Sequence, residues 1–164
     1  MARLIVFGGL PGVGKTTLSK AAARALGAVY LRIDVIEQAL RESGMLVGAA
    51  GYDVANALAA SNLRLGNAVV TDSRNPAAAS RAAWRDTAAQ CGVSIVELEI
   101  ICSDAAEHRR RLDSRVSDIP GLPNPAWERV VHSDYEPWTT SRIIIDTAGA
   151  TPEAAMKSIL RAIG

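Results

Sequence analysis

The run Gly9-Leu10-Pro11-Gly12-Val13-Gly14-Lys15-Thr16 fits the pattern G-x-x-x-x-G-K-[ST] in full. Each residue type in it has a chemical reason. The glycines let the backbone take angles closed to other residues and turn several N–H groups inward. Those groups, with the positive end of a following helix, hold a polyphosphate. Lys15 reaches the β- and γ-phosphates, and the Thr16 hydroxyl is a ligand for Mg²⁺. The nucleotide-holding set is thus Gly9, Leu10, Pro11, Gly12, Val13, Gly14, Lys15, Thr16 and the adjoining Thr17.

Two aspartates and a group of arginines form the rest of the chemistry. Ala28–Ile33 reads as a second short strand that ends at Asp34, and a helical pattern follows. Asp34 has two compatible roles. One is a helix cap. The other is a general base that takes the proton of a hydroxyl attacking the γ-phosphate. Asp72 ends the β-branched run Ala68–Thr71. An acid in that place beside a phosphate loop holds Mg²⁺, often through water; the plainer alternative is a turn aspartate. Arg109, Arg110, Arg111 and Arg115 crowd one helix, with Arg111 and Arg115 at i,i+4 spacing. An exposed basic face would look the same. Beside a phosphate loop, guanidinium forks on a lid neutralise the charge that spreads over a transferring phosphoryl group, and Arg115 is the first choice for that role. His108 and His132 lack the surrounding pattern of a metal or nucleophile site and read as structural or solvent-facing.

The elements that must position these groups are legible in order. Ala2–Phe7 is an apolar strand and Thr17–Leu26 a helix closed by Gly27. Val35–Glu42 is helical, and Gly44–Gly51 is a glycine-rich connection. Tyr52–Leu65 is a helix expected to turn Val54, Leu58 and Leu65 to the core. Pro76 suits the first turn of a helix that runs to about Gln90 and is closed by Gly92, with Trp84 packing within it. Val93–Ile101 is a strand, and Ala105 to about Arg115 a helix capped by Asp104. Ser117–Pro125 reads as a lid tip, and Trp127–Tyr135 as a return helix. Arg142–Ile145 is the last strand. A turn at Thr147–Gly149 lies within reach of a nucleotide base, and Thr151-Pro152-Glu153 starts the final helix. The reading is one domain over residues 1–164, with a lid at about 109–135.

Composition narrows the class. A length of 164 residues suits one domain with a real core, and 49% hydrophobic with 21% charged residues describes an ordinary globule. No apolar run is long enough to cross a bilayer. The short opening strand is not a secretion signal, so a cytoplasmic location is expected. A formal charge of +1 with no basic tail weighs against extended nucleic-acid contact. Cys91 and Cys102 form no C-x-x-C pair and read as buried free thiols.

Taken together, the loop Gly9–Thr16, Asp34, the segment Thr71-Asp72-Ser73-Arg74-Asn75-Pro76 and the R-x-x-x-R of Arg111 and Arg115 resemble the small P-loop kinases of the polynucleotide kinase and chloramphenicol phosphotransferase type, relatives of adenylate and shikimate kinases. The resemblance implies an α/β, three-layer P-loop NTPase fold, a parallel five-stranded sheet flanked by helices, and a helical lid. It implies ATP and Mg²⁺ as cofactors and γ-phosphoryl transfer to a hydroxyl. Polynucleotide kinases carry an arginine one turn after the base; this chain has Glu37 there. An acid at that position repels a nucleic-acid phosphate. The expectation is therefore a kinase of an unidentified small hydroxyl compound, acting as a monomer or simple dimer. A polynucleotide 5′-kinase and a regulatory ATPase are the alternatives.

Overall fold

Arg3–Gly8 (β1) alternates its side chains between two apolar layers. Ile5 and Phe7 enter one cluster with Leu18, Ala22, Val70, Leu98, Ile100 and Ile159. Leu4 and Val6 enter the other with Ile33, Ala55, Leu63, Val69 and Trp84. Leu4, Ile5, Val6 and Phe7 are all fully buried. That is what a strand covered on both faces requires, and it points to a parallel sheet with helices on each side.

The computed structural model describes residues 1–164. After β1 come α1 (Lys15–Leu26), β2 (Val29–Arg32), α2 (Ile33–Glu42), α3 (Ala50–Arg64) and β3 (Val69–Asp72). Then follow α4 (Ala78–Cys91), β4 (Ser94–Ile101), α5 (Ala105–Ser114), α6 (Trp127–Val131), β5 (Ile143–Asp146) and α7 (Pro152–Ile163). The sheet runs β2-β3-β1-β4-β5, with every pairing parallel. The expected three-layer P-loop fold is the one observed. Its order reverses at β1, so the carboxyl ends of β1 and β3 frame the crevice where open α/β sheets bind ligands. Register places Arg32 beside Asp72, and Asp72 beside Phe7, in one row at that edge.

Several local signals act as read. Gly27 and Gly92 close α1 and α4 in the left-handed conformation. Asp104 and Thr151 cap α5 and α7, accepting from Glu107 N at 2.9 Å and Ala154 N at 3.2 Å.

Other readings need correction. Asp34 neither ends a strand nor caps a helix. The extended Arg32 is the N-cap of α2, and Asp34 lies in its first turn. Burial of Ile33 turns the chain one step earlier than its apolar pattern suggests. On α3 the inward residues are Gly51, Ala55, Ala59 and Leu63, while Val54, Leu58 and Leu65 are exposed. Close approach of α2 selects the small face, since a Cβ at Gly51 would lie 2.5 Å from Glu37 Cγ. Pro76 precedes α4, whose N-cap is Ala77. The return helix α6 stops at Val131. Arg115 is the extended C-cap of α5, so Arg111 and Arg115 do not share a helical face. Both cysteines are free but only half-buried.

Trp84 is fully buried in α4, and its Nε1 donates to Asn75 Oδ1 at 3.0 Å. Asn75 adopts a positive φ of 49° and donates through Nδ2 to Phe7 O at 3.2 Å. The indole thus holds the loop that follows β3 against the end of β1. Trp84→Ala is expected to cost about 3–5 kcal/mol, read as a lowered denaturant midpoint. A loss under about 1 kcal/mol would contradict this packing role. No helix is long and apolar enough to cross a membrane.

Candidate active site

The loop between β1 and α1 is built around backbone no side chain could share. Gly9 has φ of 144°, and a Cβ there would lie 2.3 Å from Ile100 O. A Cβ on Gly12 would lie 3.0 Å from Leu112 Cβ, because α5 packs directly over the loop. His108 of α5 is buried, its Nε2 2.7 Å from Pro11 O and its ring edge-on to Trp127. It braces the loop, in keeping with the structural role read from sequence. The amides of Gly12, Val13 and Gly14 donate to no backbone carbonyl. The first amides of α1 likewise have no carbonyl one turn earlier. A row of free N–H groups at a helix N-terminus is the donor set a polyphosphate fits.

Lys15 and Asp72 meet at the base of this cradle. Lys15 Nζ lies 3.0 Å from Asp72 Oδ1, with only 10% and 1% of the side chains exposed. Tyr30 donates its hydroxyl to Asp72 Oδ2 at 2.7 Å. Burial pushes the Asp72 carboxyl up, but Lys15, the Tyr30 hydroxyl and the neighbouring Thr16 hydroxyl outweigh it and hold the group below its usual range. Burial foremost, then the Asp72 charge, pushes the Tyr30 phenol far above its ordinary value, so Tyr30 stays a donor. A carboxylate and a hydroxyl are the hard oxygen donors Mg²⁺ takes. No group of three or more His, Cys, Asp or Glu is arranged to hold a metal ion by itself. The Thr16 hydroxyl beside the Asp72 carboxylate is a donor pair of the kind Mg²⁺ takes when phosphate oxygens complete its ligands.

The depressed Asp72 pKa gives a pH prediction. A carboxyl whose folded pKa lies below its unfolded value of about 3.9 contributes stability that is fully present above that pH. The contribution fades as pH falls through the folded pKa. The stability gap between wild type and Asp72→Asn should be widest near neutrality and narrow below about pH 4. Urea midpoints measured across that range check it; a gap that widens in acid would contradict it.

A cavity of about 1470 Å³ joins the groups singled out in the sequence. Gly9, Leu10, Pro11, Gly12, Gly14, Lys15, Thr16 and Thr17 line it, as do Asp34, Arg111 and Arg115. Val13 turns its side chain into the core instead. Asp72 lies beneath the surface, reached through Lys15. Arg111 is already engaged: its Nη1 donates to Thr147 Oγ1 and its Nη2 to Thr147 O, each at 2.8 Å, and it pairs with Glu107. This ties α5 to the turn after β5. Arg115 makes no ion pair and borders the cavity at the start of the lid loop. Glu37 lines the cavity one turn beyond Asp34 and pairs with Arg41 at 3.1 Å. Burial foremost raises its carboxyl, with the Asp34 charge adding and Arg41 opposing.

A family profile for the AAA domain matches residues 4–131. The chain belongs to this AAA domain family. Solved structures share the whole fold. A kinase candidate of Chloroflexus aurantiacus superposes with a TM-score of 0.76 at 20% identity, over 99% of this chain and 96% of its own. The Mycobacterium tuberculosis APS kinase CysC, in complex with AMPPNP and APS, gives 0.73 at 19% identity over 99% and 98%. Chaetomium thermophilum Kti12, in complex with ADP-AlF3, gives 0.69 at 21% identity over 98% and 99%. A search of curated protein sequences finds no match. The P-loop fold is thus shared over 98–99% of this chain.

Four groups escaped the sequence reading. Tyr30 and Arg32 sit on β2, and only strand register reveals that they border Asp72. Lys20, one turn past the loop on α1, and Asp118 in the lid loop pair at 2.7 Å across a long separation. No local pattern marks them; the polar Arg32 ending an otherwise apolar strand was the one available signal.

Proposed function

We propose that this protein is an ATP- and Mg²⁺-dependent kinase that moves the γ-phosphoryl group to a hydroxyl of a small molecule. One observation carries the reading. Asp34 and Asp72 flank a single guanidinium, with Arg32 Nη2 3.9 Å from Asp34 and Nε 3.7 Å from Asp72. A carboxylate open to the cavity thus lies across one guanidinium from the carboxylate that sits on the phosphate-loop lysine.

In this mechanism the loop amides and Lys15 orient the triphosphate. Thr16 and Asp72 would hold Mg²⁺, which supplies charge neutralisation on the phosphate oxygens. Asp34 accepts the proton of the acceptor hydroxyl as its oxygen bonds to the γ-phosphorus. Arg115, with Arg111, offsets the charge that develops on the transferring group. Kinases among the proteins of like fold support the class of reaction.

The acceptor wall favours a compact, hydrophilic substrate. Beyond Asp34 the cavity is lined by Glu37, Arg41, Arg74, His132, Ser133 and Asp134, with no Phe, Tyr or Trp ring for a base to stack on. The Glu37–Arg41 pair presents acceptors and donors side by side, which suits adjacent hydroxyls.

The test is ADP formation with Mg²⁺ over a panel of sugars, aminoglycosides, chloramphenicol-like antibiotics, nucleosides and a 5′-hydroxyl oligonucleotide. Stimulation by one small compound is expected. Stimulation by the oligonucleotide alone, with steeply salt-dependent binding, would instead support polynucleotide kinase. A slow rate that nothing stimulates would support a regulatory ATPase.

A further inference from the structure

Arg32 is the most unusual buried group in the molecule. It ends β2, is 4% exposed, and stands among carboxylates from three separate elements. Its Nη1 donates to both oxygens of Asp118, at 2.9 Å each. Its Nε points at Asp72 from 3.7 Å and its Nη2 at Asp34 from 3.9 Å, both beyond hydrogen-bond reach. These two nitrogens are buried and have no hydrogen-bond partner. Unsatisfied buried donors are costly, and few native structures keep them without a reason.

The reason lies in which carboxylate wins. Asp118 belongs to the loop between α5 and α6, the lid. Lys20 of α1 donates to Asp118 Oδ2 at 2.7 Å and holds it from the other side. The lid tip also reaches α2, the helix that carries Asp34: a Cβ on Gly121 would lie 2.8 Å from Gln38 Nε2. With the lid so placed, Asp118 takes Nη1 of the guanidinium while Nη2 stands 3.9 Å from Asp34 without a hydrogen bond. The Asp34 carboxylate keeps its lone pairs for another donor.

We infer that Arg32 is a positioning residue that couples the lid to the base: Asp118 holds it off Asp34 when the lid is latched, and it binds Asp34 when the lid is released. The inference rests on the kinase reading, since it assigns Asp34 as the base. Loss of Asp118 leaves Arg32 with unpaired donors, and a shift of about an ångström brings it into hydrogen-bond range of Asp34 and Asp72. A carboxylate in a charge-assisted bond to guanidinium is a poorer proton acceptor. An open lid admits water, and water is an acceptor too: its oxygen would bond to the γ-phosphorus, ADP would leave with the bridging oxygen, and Asp34 would take the proton. Occupying Asp34 in the open state suppresses that hydrolysis.

The coupling gives the two partners of one ion pair opposite effects. Phosphate release from ATP in the absence of acceptor is measured for Asp118→Asn, Arg32→Gln and Arg32→Lys. Hydrogen exchange of residues 115–126 is followed alongside, with AMPPNP and Mg²⁺. Both Asp118→Asn and Arg32→Gln should speed exchange in the lid. Asp118→Asn should slow hydrolysis by roughly tenfold, a part of the ~10²–10⁴-fold that a general base supplies. Arg32→Gln should raise hydrolysis, because nothing then occupies Asp34, and Arg32→Lys should fall between it and wild type. The double variant should hydrolyse faster than Asp118→Asn alone. A purely structural latch moves both single variants the same way, and that result overturns the coupling. Unchanged lid exchange in Asp118→Asn overturns the latch even if the kinase reading stands. If wild type binds AMPPNP yet never turns over ATP, the kinase reading falls and the role assigned to Asp34 falls with it. Should Arg32→Gln not fold, the comparison of Asp118→Asn with Arg32→Lys still decides the sign.

Discussion

Lys15→Ala should lose ATP binding and turnover together. Its ammonium is the strongest positive group at the loop, and the removal of one pre-organised donor to a developing charge costs ~10²–10³-fold in rate. A second consequence is specific to this chain. Asp72 is almost fully buried, and Lys15 is its nearest cation. Without Lys15, the Tyr30 hydroxyl and the more distant Arg32 remain. Breaking a buried pair by removing one partner costs roughly 3–5 kcal/mol, because a charge is left uncompensated. Lys15→Ala should therefore also unfold more easily. Lys15→Ala combined with Asp72→Asn should recover much of that stability and none of the nucleotide affinity. Calorimetric titration with AMPPNP and Mg²⁺, run beside thermal unfolding, separates the two effects. Wild-type affinity in Lys15→Ala would contradict the cradle described for the loop.

Asp34→Asn should behave in the opposite manner: nucleotide affinity kept, transfer slowed by ~10²–10⁴-fold. The amide preserves the size of the side chain and removes its capacity to take a proton. Asp34 caps nothing, since the N-cap of α2 is Arg32 and no side-chain cap bond forms. The substitution should thus leave the denaturant midpoint near wild type. That separates a chemical role from a structural one. A large loss of stability with little loss of transfer would show that the carboxylate serves the fold and not the reaction.

The parts of the site that lie within one stretch of chain were the easiest to read. The phosphate loop shows in its own glycines and lysine, and the placement of Asp72 follows from a β-branched run that stops abruptly. Asp34 was found but set one element too early, because the apolar Ile33 extends the strand pattern while its burial actually starts α2. The face of α3 was misread because large apolar residues were favoured over small ones. Helix approach depends on Gly51, Ala55 and Ala59, whose value is their lack of bulk. Tyr30, Lys20 and Asp118 carry no local signal, and Arg32 only its polarity at the end of an apolar strand. They matter through strand register and through contacts across nearly 100 positions of chain, such as Lys20 with Asp118. Arg115 illustrates a subtler limit. Its spacing from Arg111 suggested one helical face, yet α5 ends first, and the two guanidiniums reach the cavity from different backbone conformations.

The most direct test follows the labelled γ-phosphoryl group itself. Wild type and Asp34→Asn are incubated with γ-labelled ATP, Mg²⁺ and the acceptor panel, and the products are resolved. The account predicts label on one hydroxyl compound with wild type and little or none with Asp34→Asn, although both proteins bind ATP. Label that appears only as free phosphate, at the same rate in both proteins, would contradict it.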